Sequence, residues 1–127
     1  MNKDAILEAA AVIFSQKGYH AASMQDIAQA VQLQKASLYY HVDSKQEILK
    51  VLLDYALDQL IAQISEIVAM PLPPDQKFRM GLQRYLGTML EQRELASVLL
   101  LEHRSLEPEL RIQHVRRRDE FERLWRI

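Results

Sequence analysis

Apolar residues recur at intervals of three and four along almost the whole chain, and start and stop signals cut that pattern into pieces, some only about two turns long. Glycine is scarce and the alternation expected of half-buried strands is missing. The fold class that follows is all-α: three short helices, one long helix, then a helical bundle.

The first helix spans about residues 3–17, with Ile6, Ala10, Ile13 and Phe14 on one side, Asn2 as a start cap and Gly18 at the left-handed stop position. Ser23 and Asp26 have capping-box spacing and open a short second helix whose face is Met24, Ile27, Ala28 and Val31. After "QLQ" a third short helix runs from Lys35 to His41, with Leu33, Leu38 and Val42 turned inward. Ser44 and Glu47 form a second capping box and open a long fourth helix to about Val68. The prolines of "MPLPP" stop it. Pro74 precedes a fifth helix carrying Phe78, Leu82, Tyr85, Leu86 and Met89. "ELASVLLLEHR" predicts a sixth, mostly buried helix, and Pro108 suits the first turn of a seventh. The last helix ends on Leu124, Trp125 and Ile127 without a terminator, so the chain is expected to be a C-terminally truncated form of a longer protein.

The 127 residues suffice for one domain with a core, or for a small domain and part of a second. No apolar run reaches the ~20 residues of a membrane span, and the N-terminus lacks a signal-peptide pattern. The chain has no cysteine, which removes disulfides and cysteine metal sites and fits a cytoplasmic protein. Net charge is −1, and the first fifty residues hold as many acidic as basic side chains. A nucleic-acid reading therefore rests on local geometry, and the salt dependence of binding should be shallow.

That geometry is concentrated in "QLQKASLYYHVDSK", residues 32–45. Two short helices joined by a tight turn and backed by a first helix make a helix-turn-helix candidate. With Leu38 toward the core, Gln34, Lys35 and Ser37 can reach base edges or phosphates, and Ala36 permits close approach. Tyr39, Tyr40 and His41 offer hydroxyl and imidazole donors for phosphate. Lys45 and Ser23 stand at helix starts, where the dipole and free N–H groups also favour phosphate.

The order of features, Phe14, Gly18-Tyr19, Ser23, Asp26-Ile27-Ala28, Leu38-Tyr39-Tyr40-His41 and Ser44-Lys45, resembles the DNA-binding domain of the TetR/AcrR family of bacterial transcriptional regulators. The resemblance implies that Ser23, Tyr39, Tyr40, His41 and Lys45 contact phosphate, and that Gln34, Lys35 and Ser37 lie in or beside the base-reading region. It implies residues 1–47 as the DNA-binding domain and 48–127 as a partial ligand-binding and dimerisation domain. The implied function is a repressor that leaves a palindromic operator in double-stranded DNA when it binds a small-molecule effector, hydrophobic or acyl-CoA-like. The implied assembly of the complete protein is a homodimer. Three positions depart from the family. Gln32 stands where glycine is usual and is expected to sit left-handed at a cost of ~1 kcal/mol, Gln34 is a poorer cap than serine or threonine, and Val42 is smaller than the usual phenylalanine. The alternative reading is a helical adaptor module that has lost operator binding.

In the second half, Tyr85, Met89, His103 and Arg104 are candidates for the wall and polar end of a ligand pocket. His103 and His114 flank Pro108 without helical ligand spacing, so no metal is assigned. "RRRDEFER" predicts a solvated face with the pairs Arg116–Glu120, Arg118–Glu122 and Asp119–Arg123, or a site for an effector's phosphate. No nucleophile and base stand at catalytic spacing, so neither an enzyme nor a cofactor is expected.

Overall fold

A computed structural model describes residues 3–127. Among them the chain forms α1 (Lys3–Lys17), α2 (Met24–Ala30), α3 (Lys35–His41), α4 (Lys45–Val68), α5 (Pro74–Glu91), α6 (Arg93–Leu101), a 3-10 turn at His103–Ser105, and α7 (Pro108–Leu124). The cap expected of Asn2 lies outside the described residues. α1 ends as its sequence demands: Gly18 takes φ +83° and its N–H returns to the Phe14 carbonyl at 2.9 Å. At Ser23 the capping box is complete, with the hydroxyl accepting from the Asp26 N–H and the Asp26 carboxylate from the Ser23 N–H, both at 3.0 Å.

At Ser44 the structure corrects the expected box. The Ser44 hydroxyl accepts from the Glu47 N–H at 3.0 Å, but the Glu47 carboxylate reaches one residue further back, to the Asp43 N–H at 2.7 Å. That hydrogen bond first, and the Lys3 ammonium at 3.3 Å second, hold the Glu47 carboxyl below its ordinary range.

α4 is the spine, and α5, α6 and α7 all pack on it. Leu49, Leu52, Leu53, Ala56, Leu60, Ile64 and Ile67 are buried as their spacing requires, joined by Ile48 and Leu57. α6 lies against α1 as well, so Val98, Leu99 and Leu106 share one continuous core with Ile6, Phe14, Ile27 and Leu38. The core therefore runs across the boundary expected near residue 47. Each large aliphatic side chain buried there contributes roughly 1.5–3 kcal/mol.

α6 is shorter and less buried than its composition suggests. It stops at Leu101, Leu100 and Leu101 are exposed, and the "HRS" stretch winds as a 3-10 turn. On α5, Phe78, Leu82 and Leu86 also stay about half exposed, although they follow the helical period. Gly81 lets α5 and the end of α7 meet closely: a Cβ there would stand 3.2 Å from the Trp125 ring, so a larger residue would push the indole away by a few tenths of an ångström.

The ion pairs of α7 differ from those the spacing suggests. Arg118–Glu122 is present at 3.8 Å. Among the described residues no ion pair joins Arg116 to Glu120 or Asp119 to Arg123; Arg117 takes that place, pairing with Glu120 at 2.6 Å and reaching across to Asp58 of α4.

Candidate nucleic-acid interface

The turn between α2 and α3 is closed by backbone hydrogen bonds, Gln32 N–H to Gln29 O at 3.2 Å and Leu33 N–H to Ala28 O at 2.9 Å. Gln32 sits at φ +60°, the one non-glycine residue with positive φ among the described residues, as expected of a glutamine in a glycine position. Gln34 starts α3 without a side-chain cap hydrogen bond. Below the helix Leu38 is fully buried and Val42 nearly so.

That burial fixes what α3 shows to solvent. Gln34, Lys35, Ala36, Ser37, Tyr39 and Tyr40 are exposed, and His41 is half-buried. Tyr40 is 90% exposed, with its ring edge-on to His41 at 6.0 Å. A tyrosine left that bare adds little to the core, and its face and hydroxyl are open to solvent.

Lysine pairing sharpens the picture. Lys3 pairs with Glu47, Lys17 with Asp26 at 3.2 Å and Lys50 with Asp54 at 2.7 Å. Lys35 is exposed at the start of α3 and has no ion pair among the described residues. The neutral balance of this half of the chain thus leaves a free cation at the N-terminal end of the outward helix.

Lys45, expected from the sequence to contact phosphate at the start of the long helix, has two carbonyl partners within the protein. Its ammonium donates to the Tyr19 carbonyl at 2.8 Å and the Ala22 carbonyl at 2.9 Å, and stands 4.2 Å from the Tyr19 ring centroid. Partial burial lowers its pKa. Two of its three N–H donors are spent bracing the loop that delivers Ser23. Ser23 keeps its own O–H to donate, since the cap uses only the oxygen's acceptor side.

Sequence reasoning missed Gln46. Its amide donates to the Tyr19 hydroxyl at 2.7 Å and the Ser105 carbonyl at 3.2 Å, and its oxygen accepts the Glu107 N–H at 2.6 Å. One side chain at the start of α4 thus joins the α1–α2 loop to the link before α7. No local pattern marks it, because its partners lie 27 to 61 positions away.

The four pocket candidates stand in different contacts. Tyr85 stacks on Phe121 at 6.0 Å, and Met89 borders a void of about 10 Å³, water-sized at most. The His103 ring stacks on His114 at 5.8 Å, with Nδ1 3.2 Å from the Leu99 carbonyl, while Arg104 is exposed. A cavity of about 730 Å³ lies between α1, α4 and the α5–α6 junction and is lined by none of them.

Two family models match. Residues 6–52 match the model described as bacterial regulatory proteins, tetR family, and residues 71–127 match the tetracyclin repressor-like C-terminal domain. Over 46 residues, 36% of this chain and 25% of the relative, it is 50% identical to the biofilm operon icaADBC HTH-type negative transcriptional regulator IcaR of Staphylococcus epidermidis. The fold superposes on the TetR family transcriptional regulator PfmR of Thermus thermophilus with TM-score 0.88 and 36% identity, covering 95% of this chain and 66% of PfmR. AibR, solved in complex with isovaleryl coenzyme A and operator DNA, matches with TM-score 0.80 and 30% identity over 92% of this chain and 64% of its own. The chain thus spans about two thirds of these solved regulators. With α3 facing outward as the second helix of a helix-turn-helix, and both parts of the chain matched, this protein belongs to the TetR family of bacterial regulatory proteins.

Proposed function

We propose that the chain is the DNA-binding and partial effector-binding portion of a transcriptional repressor, with residues 1–47 reading DNA and 48–127 sensing a small molecule. The observation that carries this is α3: Leu38 is buried beneath it while Lys35, Ser37, Tyr39 and Tyr40 stand in solvent. α3 enters the major groove, with Gln34, Lys35 and Ser37 toward base edges. Tyr39, Tyr40, His41 and the Ser23 hydroxyl hold phosphates on either side. Lys45 acts first as a brace for the Ser23 loop and offers its remaining N–H to the backbone.

Repression is supported by IcaR being a negative regulator, and an effector that acts on operator binding by AibR having been solved with isovaleryl coenzyme A and operator DNA. The complete regulator pairs as a homodimer on a palindrome, in the cytoplasm; no helix among the described residues is long and apolar enough to cross a membrane. An effector acts through α4 and the Gln46 bridge, changing the spacing of two recognition helices. A coupling of ~1–3 kcal/mol between sites suffices for such a response. The test is selection of double-stranded DNA from a randomised pool, followed by binding titration: recovery of an inverted repeat supports the reading. No enrichment with a folded protein contradicts it and favours the adaptor alternative.

A further inference from the structure

We propose that the 730 Å³ groove between α1, α4 and the α5–α6 junction is a binding site for a hydrophobic cation. The volume lies within the roughly 300–1,000 Å³ typical of small-molecule sites. Its floor is apolar, built from Leu7 and Ala11 of α1, Val51 and Leu52 of α4, and Leu95 of α6. Its rim carries Asp4 and Glu8 on one side and Glu91 and Glu94 on the other. None of these four carboxylates has an ion pair among the described residues.

The lysine at the rim does not balance them, because the Lys3 ammonium is paired with Glu47 at 3.3 Å. An apolar cleft with uncompensated negative charge at its mouth selects a ligand with an apolar body and a positive charge. Tyr55, half exposed at the wall, adds an aromatic ring of the kind that attracts cations. The same charge repels the phosphates of an acyl-CoA, so this site and an acyl-CoA effector exclude each other.

An occupant here touches α1, which packs on α2 and through it meets the recognition helix, and α6, which leads into the turn tied to Gln46. Its consequence for DNA rests on the regulator reading above; the binding itself does not. The experiment is isothermal titration of the purified protein, without DNA, using tetraphenylphosphonium and neutral triphenylphosphine oxide as probes. The cation should bind at least about tenfold more tightly than the neutral compound and weaken with salt. The isosteric, surface-exposed pair Glu8→Gln with Glu94→Gln should weaken it about fivefold or more, and the distant pair Glu109→Gln with Glu122→Gln should leave it unchanged. Equal binding of both probes, no binding, or equal loss in the distant pair overturns the proposal. Cation binding by a protein that enriches no DNA overturns the regulator reading instead and leaves the site standing.

Discussion

The oxygen of the Gln46 side chain accepts the backbone N–H of Glu107 at 2.6 Å, across a sequence separation of 61. The same amide serves Tyr19 and Ser105, so its loss leaves a part-buried tyrosine hydroxyl and a loop carbonyl without their partner. Gln46→Ala should destabilise the fold by about 1–3 kcal/mol, read as a lower urea midpoint at unchanged slope. It should also speed amide exchange at Glu107. An unchanged midpoint and exchange rate would show that the bridge carries no load.

Gln32 holds a left-handed conformation at φ +60° that glycine adopts freely. Gln32→Gly should therefore stabilise by up to about 1 kcal/mol, the left-handed penalty less the extra chain entropy of glycine. Thermal unfolding reads this as a rise of a few degrees, about 2–6 °C. A fall would mean that the exposed glutamine side chain makes a stabilising contact in the turn.

His114 is buried, and burial first, then the neighbouring His103 and Arg118, lower its pKa from 6.5 to about 4. Lys50 also lowers it and Asp54 opposes the shift. The native imidazole is neutral where the unfolded one already binds a proton, so stability is full above about pH 6.5 and falls as pH drops toward 4. The loss over that window is on the order of 3 kcal/mol. Denaturant midpoints measured between pH 7 and 4.5 should show the slope, and His114→Leu should flatten it. An equal slope in the variant would assign the effect to other groups.

Because Lys35 is the lysine of the first fifty residues left without an ion pair or carbonyl partner in the described structure, few counterions are displaced on binding DNA. A log–log salt slope no steeper than about −6 is expected, and Lys35→Gln should reduce it by about 1 per recognition helix. A steeper slope would require cations on the DNA that this surface does not present.

Most helix bounds were legible because their determinants are local. Ser23, Gly18, Ser44, the prolines at 71–74 and Pro108 act within one turn of themselves, and each acts where it stands. The outward face of α3 followed from Leu38 and Val42 needing to be buried. What was not legible depends on which helices meet. Leu100 and Leu101 read as core but stay more than half exposed, Lys45 folds onto carbonyls of another loop, and Gln46 bonds to residues far along the chain. The cavity too is lined from α1, α4, α5 and α6, elements distant in sequence, and Tyr85, Met89, His103 and Arg104 are not among its lining residues.

Tyr40 offers the most direct test of the central claim, since at 90% exposure its removal leaves the core untouched. Fluorescence anisotropy with the DNA enriched from a random pool should show Tyr40→Ala binding about tenfold more weakly, the worth of a hydrogen bond to a charged phosphate, with an unchanged melting temperature. Affinity equal to that of the unsubstituted protein would contradict the placement of α3 against DNA.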